Sequence, residues 1–175
     1  MFSDDVQEMK LRLSFLPYLL LAAGCAAVAQ TAPGLEIQLP AMGASSLTIN
    51  GHGHAGKVSF KHSVDGYELS CDGHALAVWG KPLKLNVNNP QDADLTIVDI
   101  QSLKTTRQFA FSKGVFSVEF LKAKPLLLVD TGAGEVVDFA TGKSLPPPGQ
   151  DFNDAAFPRE SCDDFKSRSY RRYKD

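Results

Sequence analysis

The stretch from Pro125 to Lys143, PLLLVDTGAGEVVDFATGK, decides how this chain is read. Leu126 to Val129 form an apolar run, Asp130-Thr131-Gly132-Ala133-Gly134 interrupts it, and Val136, Val137 and Phe139 resume it. Two short apolar runs on either side of a glycine-containing break spell a β-hairpin.

The same grammar extends towards the N-terminus. Val58, Phe60 and His62 alternate with Lys57, Ser59 and Lys61; Asp65-Gly66 offers a turn; Tyr67, Leu69 and Cys71 then alternate with Glu68, Ser70 and Asp72. This predicts a second hairpin with one wet face. Further strands are predicted over Ala75 to Trp79, over Leu83, Leu85 and Val87, over Leu95 to Ile100, through Phe109 and Phe111, and through Phe116, Val118 and Phe120. Gly-rich Ala41 to Gly56 carries one convincing strand signal, Leu47 to Asn50. Strands spaced every ~8–12 residues favour an antiparallel all-β sandwich or barrel-like domain, with about eight to ten strands between Leu35 and Leu145 and no long helix.

With 175 residues, 43% of them hydrophobic, and a formal net charge of -2, the chain has the composition of one ordinary globular domain. The near-neutral balance argues against a nucleic-acid footprint; the basic run from Arg168 to Lys174 is short and flanked by acids.

Residues 1–29 read as an export signal. Lys10 and Arg12 precede the apolar run from Leu13 to Ala23, and Ala27-Val28-Ala29 supplies a small-residue cleavage site before Gln30. The acids Asp4, Asp5 and Glu8 do not suit such a leader, which points to Met9 as the true start. The run is too short to span a bilayer. Leu21-Ala22-Ala23-Gly24-Cys25 offers the alternative of a lipid anchor at Cys25. Residues 30–145 are then expected as a single β domain, and 146–175 as a Pro-rich linker and polar tail. The expected address is periplasmic or secreted, with an anchored lipoprotein as the alternative. Without the leader two cysteines remain, Cys71 and Cys162, and in an oxidising compartment they are expected to pair and tie the tail back.

Three constellations bear on function. First, Asp130-Thr131-Gly132-Ala133 behind Leu127, Leu128 and Val129 resembles the catalytic motif of retropepsin-type aspartic proteases. The resemblance implies a carboxylate that shares one proton with a second one and activates water, with Thr131 and Gly132 shaping the loop. The chain departs from the pattern at Gly134 and Asp138, and no later flap is legible, so a turn is the expected role of Asp130. Second, His52, His54, His62 and His74 cluster in the sequence and suggest a copper or zinc site as an alternative; against it, glycines surround the first two and His62 falls on an apolar face. Third, Val58 to Gly66 and Val118 to Gly142 have a strand rhythm that resembles WD40-type propeller blades, yet two such units do not close a ring.

No Walker loop, dinucleotide fingerprint or Gly-x-Ser-x-Gly elbow is present, so no cofactor is expected. The aromatics Tyr67, Trp79, Phe109, Phe111, Phe116, Phe120 and Phe139 are expected mostly in the core, any exposed ones marking a contact patch. The reading is a small, exported, non-catalytic binding protein of the cell envelope whose partner is another envelope protein.

Overall fold

The computed structural model describes residues 34–51, 53–123, 125–145, 157–162 and 169–172. The leader, Cys25 and His52 lie outside them, as does the side chain of His54. Every element among the described residues is a β-strand: β1 (Glu36–Gln38), β2 (Ser46–Gly51), β3 (His54–Ser59), β4 (Gly66–Leu69), β5 (Ala75–Gly80), β6 (Ala93–Asp99), β7 (Lys104–Phe111), β8 (Ser117–Phe120), β9 (Leu126–Asp130), β10 (Glu135–Asp138), β11 (Lys143–Leu145) and β12 (Ser169–Arg171). They form three antiparallel sheets, ordered β1-β2-β3, β12-β4-β5-β6-β7 and β11-β10-β9-β8, and none closes on itself. Each sheet is a meander of consecutive strands, the feature that gives the sequence its blade-like rhythm. Only β12 returns from a distance, adding to the edge of the middle sheet beside β4.

The five-stranded sheet is covered on both faces along β4, β5 and β6, while its edge strand β7 is largely exposed. Leu76 and Val78 of β5 join Leu47, Ile49, Val58 and Tyr67 in one core, against the β1-β2-β3 sheet. Their neighbours Ala77 and Trp79 point the other way, into a second core with Leu95 and Ile97 of the same sheet and Leu127 and Val129 of the β8–β11 sheet. This explains a failed expectation: β4 was read as having one wet face, but all four of its residues are buried. Alternation in a middle sheet separates two cores rather than core from water, and Glu68 is caught between them.

Two further expectations are corrected. Val58 to Gly66 does not turn into a hairpin with β4. β3 pairs with β2 in another sheet, and residues 60–65 cross between sheets: Phe60 N–H donates to Ser45 O at 2.8 Å, Val64 N–H to Ala44 O at 2.7 Å and Asp65 N–H to Trp79 O at 2.8 Å. Gly66 lacks the positive φ of a hairpin turn. It is small for a different reason, since a Cβ there would lie 2.2 Å from Cζ2 of Trp79. Gly66→Ala should therefore overpack the second core and cost about 1–3 kcal/mol in urea denaturation; an unchanged midpoint would show that the indole moves freely. The other correction concerns Leu83 to Val87, which forms no strand. Asn86, Asn89 and Asp92 bond to one another across this connection, with Asn86 Nδ2 donating to Asp92 Oδ2 at 3.0 Å and Asn89 N–H to Asn86 O at 3.0 Å. That local network takes the place of a cross-strand ladder.

The hairpin around Asp130 forms as read, Val129 opposite Glu135 and Leu126 opposite Asp138. Cys71 and Cys162 are disulfide-bonded, their Cα atoms 5.6 Å apart. The C-terminal segment crosses two sheets: Lys122 N–H donates to Pro158 O and Glu160 N–H to Phe120 O, each at 2.8 Å, beside the edge of β8, while β12 pairs with β4. Phe157 packs with Leu121, Leu128 and Val136 on the outer face of the last sheet.

The antiparallel connections fall at two ends. The upper end carries residues 39–45, 60–65, 81–92, 112–116 and 131–134; the lower end carries 70–74, 100–103, 121–125 and 139–142. Hydrogen bonds knit the upper loops together: Asn89 Nδ2 donates to Ser112 O at 2.9 Å and Phe116 N–H to Asp130 O at 2.8 Å.

Candidate functional site

At the upper end the middle sheet and the β8–β11 sheet part to leave a cleft of about 630 Å³. Trp79 and Ala93 contribute its inner wall, Val115 and Phe116 its outer one, and Asp130 and Thr131 its side. Lys81, Lys113, Arg171 and Arg172 bring positive charge to the same cleft. The indole of Trp79 is almost fully buried, whereas Phe116 is 62% exposed.

The carboxylates here are engaged within the fold. Asp65, itself buried, accepts from Arg172 Nη1 at 3.0 Å and from Lys81 N–H at 3.3 Å. Asp92 is held by Asn86 and Asn89. Asp130 Oδ1 accepts the Gly132 N–H at 2.8 Å, an Asx-type turn, and Gly132 takes the positive φ (86°) that this turn requires. Thr131 is buried beneath it, its hydroxyl 3.5 Å from Glu135 Oε1. The three residues of the protease-like motif thus build the turn that closes one side of the cleft.

The two histidines whose side chains are described, His62 and His74, lie at opposite ends of the fold. His62, in the 60–65 connection, is buried, 5.2 Å from the Phe60 ring in a stacked arrangement. Its Nδ1 lies 2.6 Å from Ser63 O and its Nε2 2.8 Å from Thr96 Oγ1. A carbonyl only accepts, so Nδ1 carries the proton, and Nε2 of the neutral ring accepts from the threonine hydroxyl. Burial lowers the ring's pKa and so favours the neutral form, while the bonds to Ser63 O and Thr96 Oγ1 occupy both ring nitrogens. His74 is exposed in the β4–β5 turn, at the opposite end of the hairpin. No group of three or more potential metal ligands occurs among the described residues.

The lower end has its own cleft of about 510 Å³, where His74, Asp72, Asp99 and Arg107 meet Phe120 and Phe139. Several of its polar groups are committed within the fold. Ser70 Oγ donates to Asp72 Oδ1 at 2.6 Å; the Ser102 hydroxyl and N–H donate to Asp99 at 2.6 and 2.7 Å and hold that carboxyl below its usual range. Arg107 Nε and Nη2 donate to Ala140 O at 3.2 and 2.5 Å.

The third polar cluster lies where the C-terminal segment crosses. Glu68 is buried on the β8-facing side of β4, and its Oε2 has no hydrogen-bond partner among the described residues. Loss of solvent, and then the charge of Glu119, push its pKa to about 8. Glu119 is held by Arg159, Nε to Oε2 2.6 Å, and faces Arg171 at 3.7 Å. Glu160 Oε2 accepts the Cys71 N–H at 2.7 Å, next to the disulfide.

The sequence does not show the cations of the upper cleft gathering, and its alternation wrongly makes a strand of Leu83, Leu85 and Val87, which are exposed in a loop. The signal was present in the Asn86-Val87-Asn88-Asn89-Pro90 run, whose turn-forming residues break the alternation just where a strand would need a partner. No protein-family model matches the chain, and no curated protein is significantly similar to it in sequence.

Proposed function

We propose that the protein is a non-catalytic binding module of the cell envelope and that its contact surface is the upper end of the sheets. The observation that carries this is a convergence. All five exposed large hydrophobic side chains among the described residues, Met42, Leu83, Leu85, Val87 and Phe116, belong to loops of that end. Scattered apolar exposure is ordinary, but gathering it on one end beside a cleft is the mark of a surface that becomes covered. The disulfide agrees with an oxidising compartment.

A photo-crosslinking side chain placed at Val87 in producing cells should give an adduct with an envelope component, and one placed at the exposed Ala140 of the lower end should not. Adducts at both positions, or at neither, would remove this reading. Asp130, with its carboxylate committed to Gly132 N–H, is assigned to the turn. Asp130→Asn should cost at most about 1 kcal/mol by urea denaturation and leave the Val87 adduct intact; acid-dependent peptide cleavage that the asparagine variant lacks would make the protein an enzyme instead.

A further inference from the structure

The upper end has a second property, which concerns charge. Lys61, Lys81, Lys84 and Lys113 are all exposed there, and none has an ion-pair partner among the described residues. Every described carboxylate of the same end is buried or half-buried: Asp65, Asp92, Asp94, Asp130 and Glu135. The outward surface is therefore apolar and cationic at once.

The 81–92 loop carries this furthest. Its polar side chains bond to one another at the surface through Asn86, Asn89 and Asp92, and Asn88 N–H donates to Asn86 Oδ1 at 3.1 Å. Leu83, Leu85 and Val87 are left outside, with exposures of 60%, 63% and 89%. Lys84 stands between the two leucines, and Leu83 N–H donates to Lys61 O at 3.0 Å, which brings a further lysine alongside. A loop folded only for its own stability would do the reverse and bury its leucines. Here the network of asparagines and Asp92 fixes the loop while the apolar side chains stay in water.

We infer that this end docks on an anionic lipid surface, with Leu83, Leu85 and Val87 entering the headgroup boundary and Lys61, Lys81, Lys84 and Lys113 meeting lipid phosphates. The inference rests on the reading of the upper end as the contact surface and names what covers it. The choice of lipid over protein follows from the lysines. The cores of protein–protein interfaces are depleted in lysine, because desolvating an ammonium without a fixed partner is costly. A bilayer boundary accepts leucine and lysine side by side, since the lysine stem lies against apolar groups while its head stays in the wet phosphate layer. Each such lysine strengthens attraction to an anionic leaflet about fivefold.

The test uses the full chain and a fluorescent reporter that localises contact. Trp79 is the only tryptophan and is buried, so a tryptophan added by Val87→Trp reports its own surroundings. With phosphatidylcholine vesicles containing phosphatidylglycerol, the added emission should shift to the blue and be quenched by bromine on the acyl chains near the headgroups. Ala140→Trp, at the lower end, should show neither effect. Lys81→Gln with Lys84→Gln, made in the Val87→Trp background, should weaken the response roughly 25-fold. Leu83→Ser with Leu85→Ser should weaken it about tenfold or more, and salt of about 1 M should largely abolish it. No shift at Val87 with these vesicles, equal shifts at Val87 and Ala140, or a shift that ignores the lysine changes would each overturn the inference. A protein adduct at Val87 in cells combined with no vesicle response would overturn it while leaving the broader binding reading in place.

Discussion

Replacing Cys71 and Cys162 together with serine should lower the stability of the protein by about 4–5 kcal/mol and free its C-terminal segment. The bridge joins residues 91 apart in sequence, and a loop of that size is among the larger ones a single-domain disulfide closes. On the chain-entropy view it removes conformations from the unfolded chain, so the cost of its loss grows with the logarithm of loop length. The folded side matters as well. The segment it anchors pairs with the edge of β8 through Pro158 and Glu160 and with β4 through β12, two edges of two different sheets. Tyr170 stacks on Tyr67 with centroids 5.8 Å apart, and Arg172 pairs with Asp65, contacts that act together with the bridge. Urea denaturation of the serine pair against the wild type measures the loss, and limited proteolysis reads the release, with cleavage near Arg171 and Arg172 appearing first. A change below about 1 kcal/mol with unaltered protection would mean that these strand and ring contacts, not the bridge, secure the segment.

How far the sequence reveals this architecture depends on whether the deciding interaction is local. The β9–β10 hairpin was legible because its turn chemistry, Asp130 to Gly134, sits between its own two strands. The pairing of Cys71 with Cys162 was legible because, once residues 1–29 are read as a leader, two cysteines remain and only one pairing is possible. Leu83 to Val87 was misread because alternation says which faces a segment has, and says nothing of whether a neighbouring strand offers it a ladder. The same limit hid Glu68. Period-2 alternation on β4 is equally consistent with water or with a second core beyond the polar face, and the stacking of a third sheet decides between them. The cations of the upper cleft were illegible for a related reason. Lys81, Lys113, Arg171 and Arg172 are brought together from three separate parts of the chain by β12 returning beside β4. No spacing in the sequence encodes that meeting.

Glu68→Gln should make the protein more stable at alkaline pH and change it little in acid. The carboxyl lies between the middle sheet and β8, with Oε2 unpartnered among the described residues. Glu119 from β8 and Glu160 from the C-terminal segment oppose its ionisation, while Arg171 from β12 partly favours it. Burial is the largest influence and raises the pKa from 4.5 to about 8, so the folded protein holds a proton near pH 7 that the unfolded chain has released. Where the folded state binds the extra proton, stability falls as pH rises. The contribution is fully present below the unfolded value of about 4.5 and is lost as pH climbs through about 8. Across that window the loss is on the order of 5 kcal/mol. Asp94, also raised by burial, adds a smaller slope of the same sign; His62, lowered by burial, adds one of opposite sign at acidic pH. Neither is altered by the substitution, so the difference between the two proteins isolates Glu68. Glutamine reproduces the shape of the neutral carboxyl and cannot ionise. Urea denaturation at a series of pH values should find the pair within about 1 kcal/mol near pH 4.5 and the variant ahead by several near pH 9. A difference that stays constant with pH, or a variant that is weaker at pH 9, would mean that Glu68 is ionised in the folded protein and that the cluster with Arg159 and Arg171 compensates its charge.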